Sequence, residues 1–400
     1  MVSQKMYELG SKRSVIREIF EFGKKRAAEI GADNVYDFSL GNPSAPAPES
    51  VKQALLDLLT QEDSVSVHSY TSAQGDPEVR QAIADYLNGL YGTDYRADRL
   101  YMTVGAAASL SVSIKAVAGT GDEVIAFAPF FTEYKVFVEA AGASLVVVPP
   151  KRDDFQIEFA DFERLINEKT KAVLVNSPNN PTGVVYSEET VVKLCELLKA
   201  KEQEYGHAIY LITDEPYREI VYDGVDVPFF PLYYANTLVC YSYSKSLSVP
   251  GERIGYVLVP NGMEDADKVY AAICGAGRAL GYVCAPSLFQ KAIAKCLGET
   301  ADLSVYKENR DLLYQALKEY GYECVYPQGA FYLFVKALEE DANAFCARAQ
   351  KHDLLFVPGD DFGCPGYVRI SYCVPAERIR RSLPAFERLA EEYRTGFAQA

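Results

Sequence analysis

The chain has 400 residues, 49% apolar and 24% charged, which is ample for a large core and for two domains or one elaborated one. Its net charge of −15 argues against nucleic acid or an anionic membrane as the main partner, no apolar run has the length to cross a bilayer, and the charged N-terminus lacks the apolar centre of a signal peptide. Nine cysteines without a C-x-x-C pair predict reduced thiols and a cytoplasmic setting, and three scattered histidines form no metal-ligand pattern.

In chain order, Ile16, Ile19, Phe20 and Ala27 recur near helical spacing and predict a helix over 15–30. A short strand over 35–40 runs into the Pro-rich segment 41–48, which cannot hold regular structure and reads as a crossing between lobes. A helix follows to about residue 59, then a loop over 64–75 carrying His68, Ser69 and Tyr70. Pro77 begins another helix, with Val79, Ile83, Tyr86 and Leu87 on one face.

From residue 100 the pattern alternates. Strand-like runs fall at 100–104, 123–127, 144–148, 172–176, 208–213, 237–241 and 254–259, with helices at 106–118, 132–141, 159–168 and 187–205. Most runs are nearly continuous in apolar and β-branched residues, as strands buried on both faces are. The expected fold class is α/β, a mostly parallel sheet with helices on both faces and ligands at its strand ends. After Pro286 two helices (287–297 and 301–320), isolated strands at 322–325, 331–335 and 367–372, and a last helix from Pro375 predict a smaller α+β domain. The expected division is an N-terminal arm and joining segment over 1–45, a large domain over 46–285 and a small domain over 286–400.

Chemistry concentrates at the ends of these runs. Ser242-Tyr243-Ser244-Lys245, with Arg253 eight residues beyond the lysine, presents an amine, hydroxyls and a fixed cation. A buried lysine can shed its proton and attack a carbonyl, and hydroxyls with an arginine fork suit a phosphate. Together they describe a site for pyridoxal phosphate; the competing reading is a solvated Ser/Lys loop with a structural arginine. Gly105-Ala106-Ala107 opens a helix after a strand, where free N–H groups can meet a phosphate, although small residues are also ordinary at such a turn. Asn176-Ser177-Pro178-Asn179-Asn180-Pro181-Thr182-Gly183 forces an irregular backbone and leaves amide side chains for a cleft.

Asp214, ending a strand in Asp214-Glu215-Pro216-Tyr217, needs a cation partner when buried. A protonated pyridine nitrogen would serve and would make the ring an electron sink, with Tyr217 near the ring oxygen. A helix-capping Asp and a core Tyr are the alternative. Phe131 after Pro129 is either a stacking face or core. Arg369, inside an apolar strand, needs a carboxylate from substrate or from protein.

These elements, NSPNNPTG, DEPY and SYSK with its arginine, resemble in kind and order those of the fold-type I pyridoxal-phosphate enzymes, specifically the class I/II aminotransferases typified by aspartate aminotransferase. The resemblance runs from Ser14 to the final helix. It implies that Lys245 bonds the cofactor's aldehyde and then moves the substrate's proton. It places Asp214 on the pyridine nitrogen, Tyr217 and Asn180 on the ring oxygen, and Phe131 on the ring face. Ser242, Arg253 and the N–H groups of Ala106 and Ala107 would hold the phosphate, Ser244 would join the cofactor-binding set, and Tyr70 would reach a phosphate across a homodimer interface. Gly41, Asn180 and Arg369 would bind the α-carboxylate, and Arg278 a distal carboxylate from the neighbouring subunit. Phe131 stands where Trp or Tyr is usual, and Ala106 and Ala107 where hydroxyls are common. Those departures bear on the aspartate label more than on the family. The resemblance implies transfer of an amino group from an L-amino acid to a 2-oxo acid, with small-molecule substrates and no metal. A carbon–sulfur β-lyase on the same fold and a non-catalytic cofactor-binding regulator are the alternatives.

Overall fold

The computed structural model describes residues 2–11 and 15–396. Ser14, where the resemblance begins, lies outside them. Two-residue strand β1 (Tyr36–Asp37) is all that forms of the strand expected over 35–40. Seven strands follow: β2 (Leu100–Thr103), β3 (Glu123–Phe127), β4 (Ser144–Val148), β5 (Thr170–Asn176), β6 (Tyr210–Asp214), β7 (Thr237–Ser242) and β8 (Gly255–Leu258). They make one sheet of order β2-β8-β7-β6-β5-β3-β4. Strands β4, β3, β5, β6 and β7 pair in parallel, while β8 runs antiparallel to both neighbours. The α/β expectation holds, and the central strands are apolar on both faces because helices cover both.

Register sets up the site. Asn176 pairs with Asp214, and Asp214 with Cys240, so β5 and β6 end level and β7 runs two residues further, to Ser242. Their carboxyl ends therefore converge, where an α/β sheet places its ligands.

The remaining strands are β9 (Tyr332–Lys336), β10 (Leu354–Leu355), β11 (Val357–Pro358) and β12 (Tyr367–Ser371). β11-β12-β9 form an antiparallel sheet, and β10 pairs with β1 in parallel. Phe38, Tyr306, Leu313, Phe331, Val368 and Phe386 pack into a core beside this smaller sheet. No strand forms over 322–325, where Cys324 makes a single bridge to Val335.

Some helices depart from expectation. Ser64–His68 is a short helix inside the segment expected as a loop over 64–75. Ala266–Leu280 is helical where no helix was expected. Val269, Ile273, Ala276 and Gly277 form its buried face, and a Cβ at Gly277 would fall 2.1 Å from the Tyr101 hydroxyl, so the glycine permits close packing on β2. Helix Ser287–Ala294, expected with the smaller lobe, packs its Ala292 and Ile293 in one core with Val51, Leu58, Val79 and Ile83.

Candidate active site

The converging strand ends border a cavity of about 310 Å³. Its first wall is β7 and the turn after it. Ser242 caps a one-turn helix, Tyr243–Ser246, by accepting from the Ser244 N–H, and this turn carries Lys245. The Lys245 Nζ donates to the Gly41 carbonyl at 2.6 Å. Burial, with Arg253 and Arg369 in the neighbourhood, lowers its pKa to about 8. An amine so placed is a usable nucleophile and proton carrier near neutral pH.

At the phosphate-like end, Arg253 Nη1 donates to Ser244 Oγ (3.4 Å) and to the Pro250 carbonyl (2.9 Å). Helix Ala106–Val117 begins beside it. Gly105 precedes that helix at φ 91°, and a Cβ there would fall 2.7 Å from Arg253 Nη2. The helix therefore starts against the guanidinium, and Ala106 and Ala107 present the unpaired N–H groups of its first turn to the same corner.

Asp214 ends β6 and lines the cavity as a buried carboxylate. Its Oδ2 accepts from the Tyr134 hydroxyl at 2.7 Å, while Oδ1 has no hydrogen-bond partner among the described residues. Burial raises this carboxyl to about 7, with Tyr134 pulling the other way. Asn176 Nδ2 donates to the Asp214 carbonyl, and Asn176 Oδ1 accepts from the Asn180 N–H, both at 2.7 Å. The NSPNNPTG loop is thus pinned to β6 through an amide. Phe131 lines the cavity and meets Tyr134 edge-on, centroids 5.8 Å apart.

At the opposite end lies Arg369 on β12, 3% exposed. Nη1 donates to Asn180 Oδ1 (3.0 Å) and Nη2 to the Ser39 carbonyl (2.6 Å), while Nε has no partner among the described residues. No carboxylate among the described residues pairs with it. The guanidinium lies over the Tyr332 ring, 4.7 Å from its centroid. The Tyr332 hydroxyl shares a 2.9 Å hydrogen bond with that of Tyr217, and a Cβ at Gly41 would come 1.9 Å from it. Gly41 is glycine because Tyr332 occupies the space.

The structure thus brings together Lys245, Asp214, Tyr217, Asn180 and Phe131, the corner of Ser242, Ser244, Arg253, Ala106 and Ala107, and the pair Gly41 and Arg369. Tyr70 and Arg278 are not among them. Tyr70 is 94% exposed beside a separate groove with His68 and Cys284. Arg278 is exposed in the last turn of its helix and makes no ion pair among the described residues. Sequence reasoning missed Tyr134, Tyr332 and the apolar lining residues Ile16 and Leu40. Tyr134 lies three residues after Phe131, a spacing that puts both on one side of a helical turn. Tyr332 carried no signal beyond its place in an aromatic strand.

A lone buried carboxylate oxygen, an amine of lowered pKa and a cation at a helix start match a pyridine nitrogen, an aldehyde and a phosphate. The residues fit pyridoxal phosphate, and they define a fold-type I enzyme that uses it. The family described as aminotransferase class I and II matches residues 33–386, and the chain belongs to it. A solved amino transferase from Eubacterium rectale is 62% identical, with a TM-score of 0.97 over 98% of this chain and 99% of that one. Aspartate aminotransferase of Thermotoga maritima is 32% identical, covering 97% of this chain and 98% of its own length. A probable aspartate/prephenate aminotransferase of Thermus aquaticus is 31% identical over 90% and 93%. The protein is a pyridoxal-phosphate-dependent aminotransferase, and the β-lyase reading is not favoured.

Proposed function

We propose that the cavity transfers the amino group of an L-amino acid to a 2-oxo acid in two half-reactions, with Lys245 moving the proton. The observation that carries this is the set Arg369, Lys245 and Asp214: a carboxylate-seeking cation, an amine of lowered pKa and an unpartnered buried carboxylate oxygen border one cavity. When bound, pyridoxal phosphate supplies an aldehyde for the amine and a ring that accepts electrons. Asp214 Oδ1 holds the ring nitrogen, Tyr217 and Asn180 the ring oxygen, and Phe131 covers the ring face. Ser242, Ser244, Arg253 and the N–H groups of Ala106 and Ala107 hold the phosphate. Arg369 and Asn180 orient the substrate's α-carboxylate, and Gly41 gives it room. Lys245, freed from the Gly41 carbonyl, would take the α-proton and return it two atoms away, at the carbon of the cofactor's aldehyde.

The proposal extends to the assembly. We place Tyr70 and Arg278 in the site of a neighbouring subunit of a homodimer, supported by their exposure beside Val65, Tyr282 and Val283, also exposed. The 1–45, 46–285 and 286–400 division is retained, with helix Ser287–Ala294 docking back on the larger part. A cytoplasmic setting is supported by nine free thiols.

The test is a single-turnover screen of the cofactor-loaded protein against individual amino acids. Transamination predicts one 2-oxo acid per site, further product only once an acceptor 2-oxo acid is added, and no ammonia at either stage. Continuous release of ammonia would instead favour elimination.

A further inference from the structure

Asp214 has no cation partner among the described residues. Its carboxylate accepts one described hydrogen bond, from Tyr134 to Oδ2. Arg218, near in sequence, is spent on Glu215, and Glu215 itself pushes Asp214 upward. The main chain cannot swing to compensate, because the Asp214 carbonyl is held by Asn176. What distinguishes one carboxylate oxygen from the other is therefore Tyr134.

The donor is held as firmly as the acceptor. Tyr134 is 1% exposed in the first turn of helix Glu133–Ala141, stacked near Phe130 and edge-on to Phe131. One short segment thus supplies both the ring face and the carboxylate's donor. Burial and the charge of Asp214 raise the Tyr134 hydroxyl well above its ordinary value, so it stays neutral. That neutrality matters. A lysine or arginine here would neutralise Asp214 and compete with a ring nitrogen for it; a phenol orients the carboxylate and leaves its charge available.

We propose that Tyr134 is the positioning residue that occupies Asp214 Oδ2, so that Oδ1 alone meets the cofactor's ring nitrogen and the shared proton stays on that nitrogen. This rests on the cofactor site proposed above. A hydrogen bond donated to one oxygen makes the carboxylate less basic. Even with the hydrogen bond from Tyr134, burial and the charge of Glu215 hold Asp214 at about 7, in the range where it could take the proton itself. A carboxylic acid facing a neutral pyridine would leave the ring a poorer electron sink.

The experiment uses pyridoxal phosphate labelled with ¹⁵N in the ring, whose chemical shift reports protonation directly. In the loaded wild type the signal is expected at the protonated position. Tyr134→Phe, which removes only the hydroxyl, should shift it toward neutral pyridine and weaken cofactor binding by on the order of tenfold. If that variant fails to fold, difluorotyrosine at position 134 keeps the shape and strengthens the donor, and should move the signal further toward protonated. In an Asp214→Asn background, Tyr134→Phe should move it no further. An unchanged ¹⁵N signal in the folded Tyr134 variants overturns the proposal even if stability falls, as does an equal shift in the Asp214→Asn background. A wild type that binds no cofactor at Lys245 would instead overturn the site reading.

Discussion

Lys245 and Asp214 are both displaced from their ordinary protonation by burial, in opposite directions. Held at about 8, Lys245 carries a far larger free-amine fraction at pH 7 than an exposed lysine near 10.4. Capture of pyridoxal phosphate by the apoprotein should therefore quicken up to about pH 8 and level off there. Borohydride reduction and peptide mapping should find the label on Lys245, and Lys245→Ala should lose the label and nearly all turnover. A capture rate still climbing at pH 10 would show that the amine is not desolvated. Asp214 gives the complementary stability effect. With a folded value of about 7, the folded apoprotein holds a proton between about pH 4 and 7 that the unfolded chain has lost. Stability contributed at this position thus falls as pH rises through that window and stays low above it. Asp214→Asn apoprotein should be more stable than wild type at pH 8, by on the order of a few kcal/mol, with the gain vanishing near pH 4. Denaturant titration at the two pH values checks this; a gain independent of pH would mean that the carboxyl is ionised throughout. Both residues were legible in the sequence, since an amine or a carboxylate at the end of an apolar strand is an anomaly that calls for a partner. Tyr134 was not, because one buried tyrosine among 29 carries no anomaly until its hydroxyl is seen against Asp214.

The seven strands of the main sheet were readable as elements because burial on both faces makes them apolar runs bounded by polar turns. Their order was not, since the antiparallel placement of β8 between β2 and β7 leaves no local trace. Helix Ala266–Leu280 shows the converse failure: no helix was expected there, and Gly277 has no evident reason until Tyr101 is seen to fill the space beside it. The expected strand at 322–325 had the composition of a strand but found almost no partner edge. Gly41 is where two such elements must fit together. It follows β1, and Tyr332, at the start of β9, reaches across to it. In Gly41→Ala the new methyl would displace the Tyr332 ring, and with it the Tyr217 contact and the surface under Arg369. A shift of the order of an ångström in substrate-positioning groups costs about a hundredfold in rate. The variant should therefore lose roughly that factor in kcat/KM while still binding cofactor, as steady-state kinetics and cofactor titration would show. Unchanged kinetics would mean that Tyr332 has another place to go.

At the scale of the whole molecule, one face carries exposed apolar side chains that no described residue covers. Val65 and Tyr70 are exposed on one segment of it and Leu280, Tyr282 and Val283 on another, and the two segments meet where Ser287 Oγ donates to the Val67 carbonyl and the Cys284 N–H to the Ala73 carbonyl. An exposed apolar group of this kind marks an association surface, and a closed homodimer would bury it on both subunits by the same contacts. Arg278 stands one turn before Tyr282 on this face, a cation without an ion pair among the described residues and outside its own chain's cavity. If the face closes, Arg278 and Tyr70 both become candidates for the opposite site, and mixing separates their contributions. A subunit carrying Lys245→Ala combined with one carrying Tyr70→Phe should form heterodimers with one doubly impaired site and one intact site, recovering activity that neither parent has. Purely additive activity would argue that each chain serves only itself. For Arg278 the decisive quantity is selectivity. Charge-assisted pairing with a distal carboxylate contributes about 1.5–3 kcal/mol, or roughly ten- to a hundredfold in kcat/KM. Arg278→Ala should lower turnover of aspartate and glutamate by that factor and spare alanine and aromatic donors. Heterodimers with the Lys245→Ala subunit should recover the dicarboxylate activity, because the one working site then faces an intact Arg278. Equal losses on all donors would assign Arg278 to holding the two subunits together, and no loss on dicarboxylates would remove it from the site.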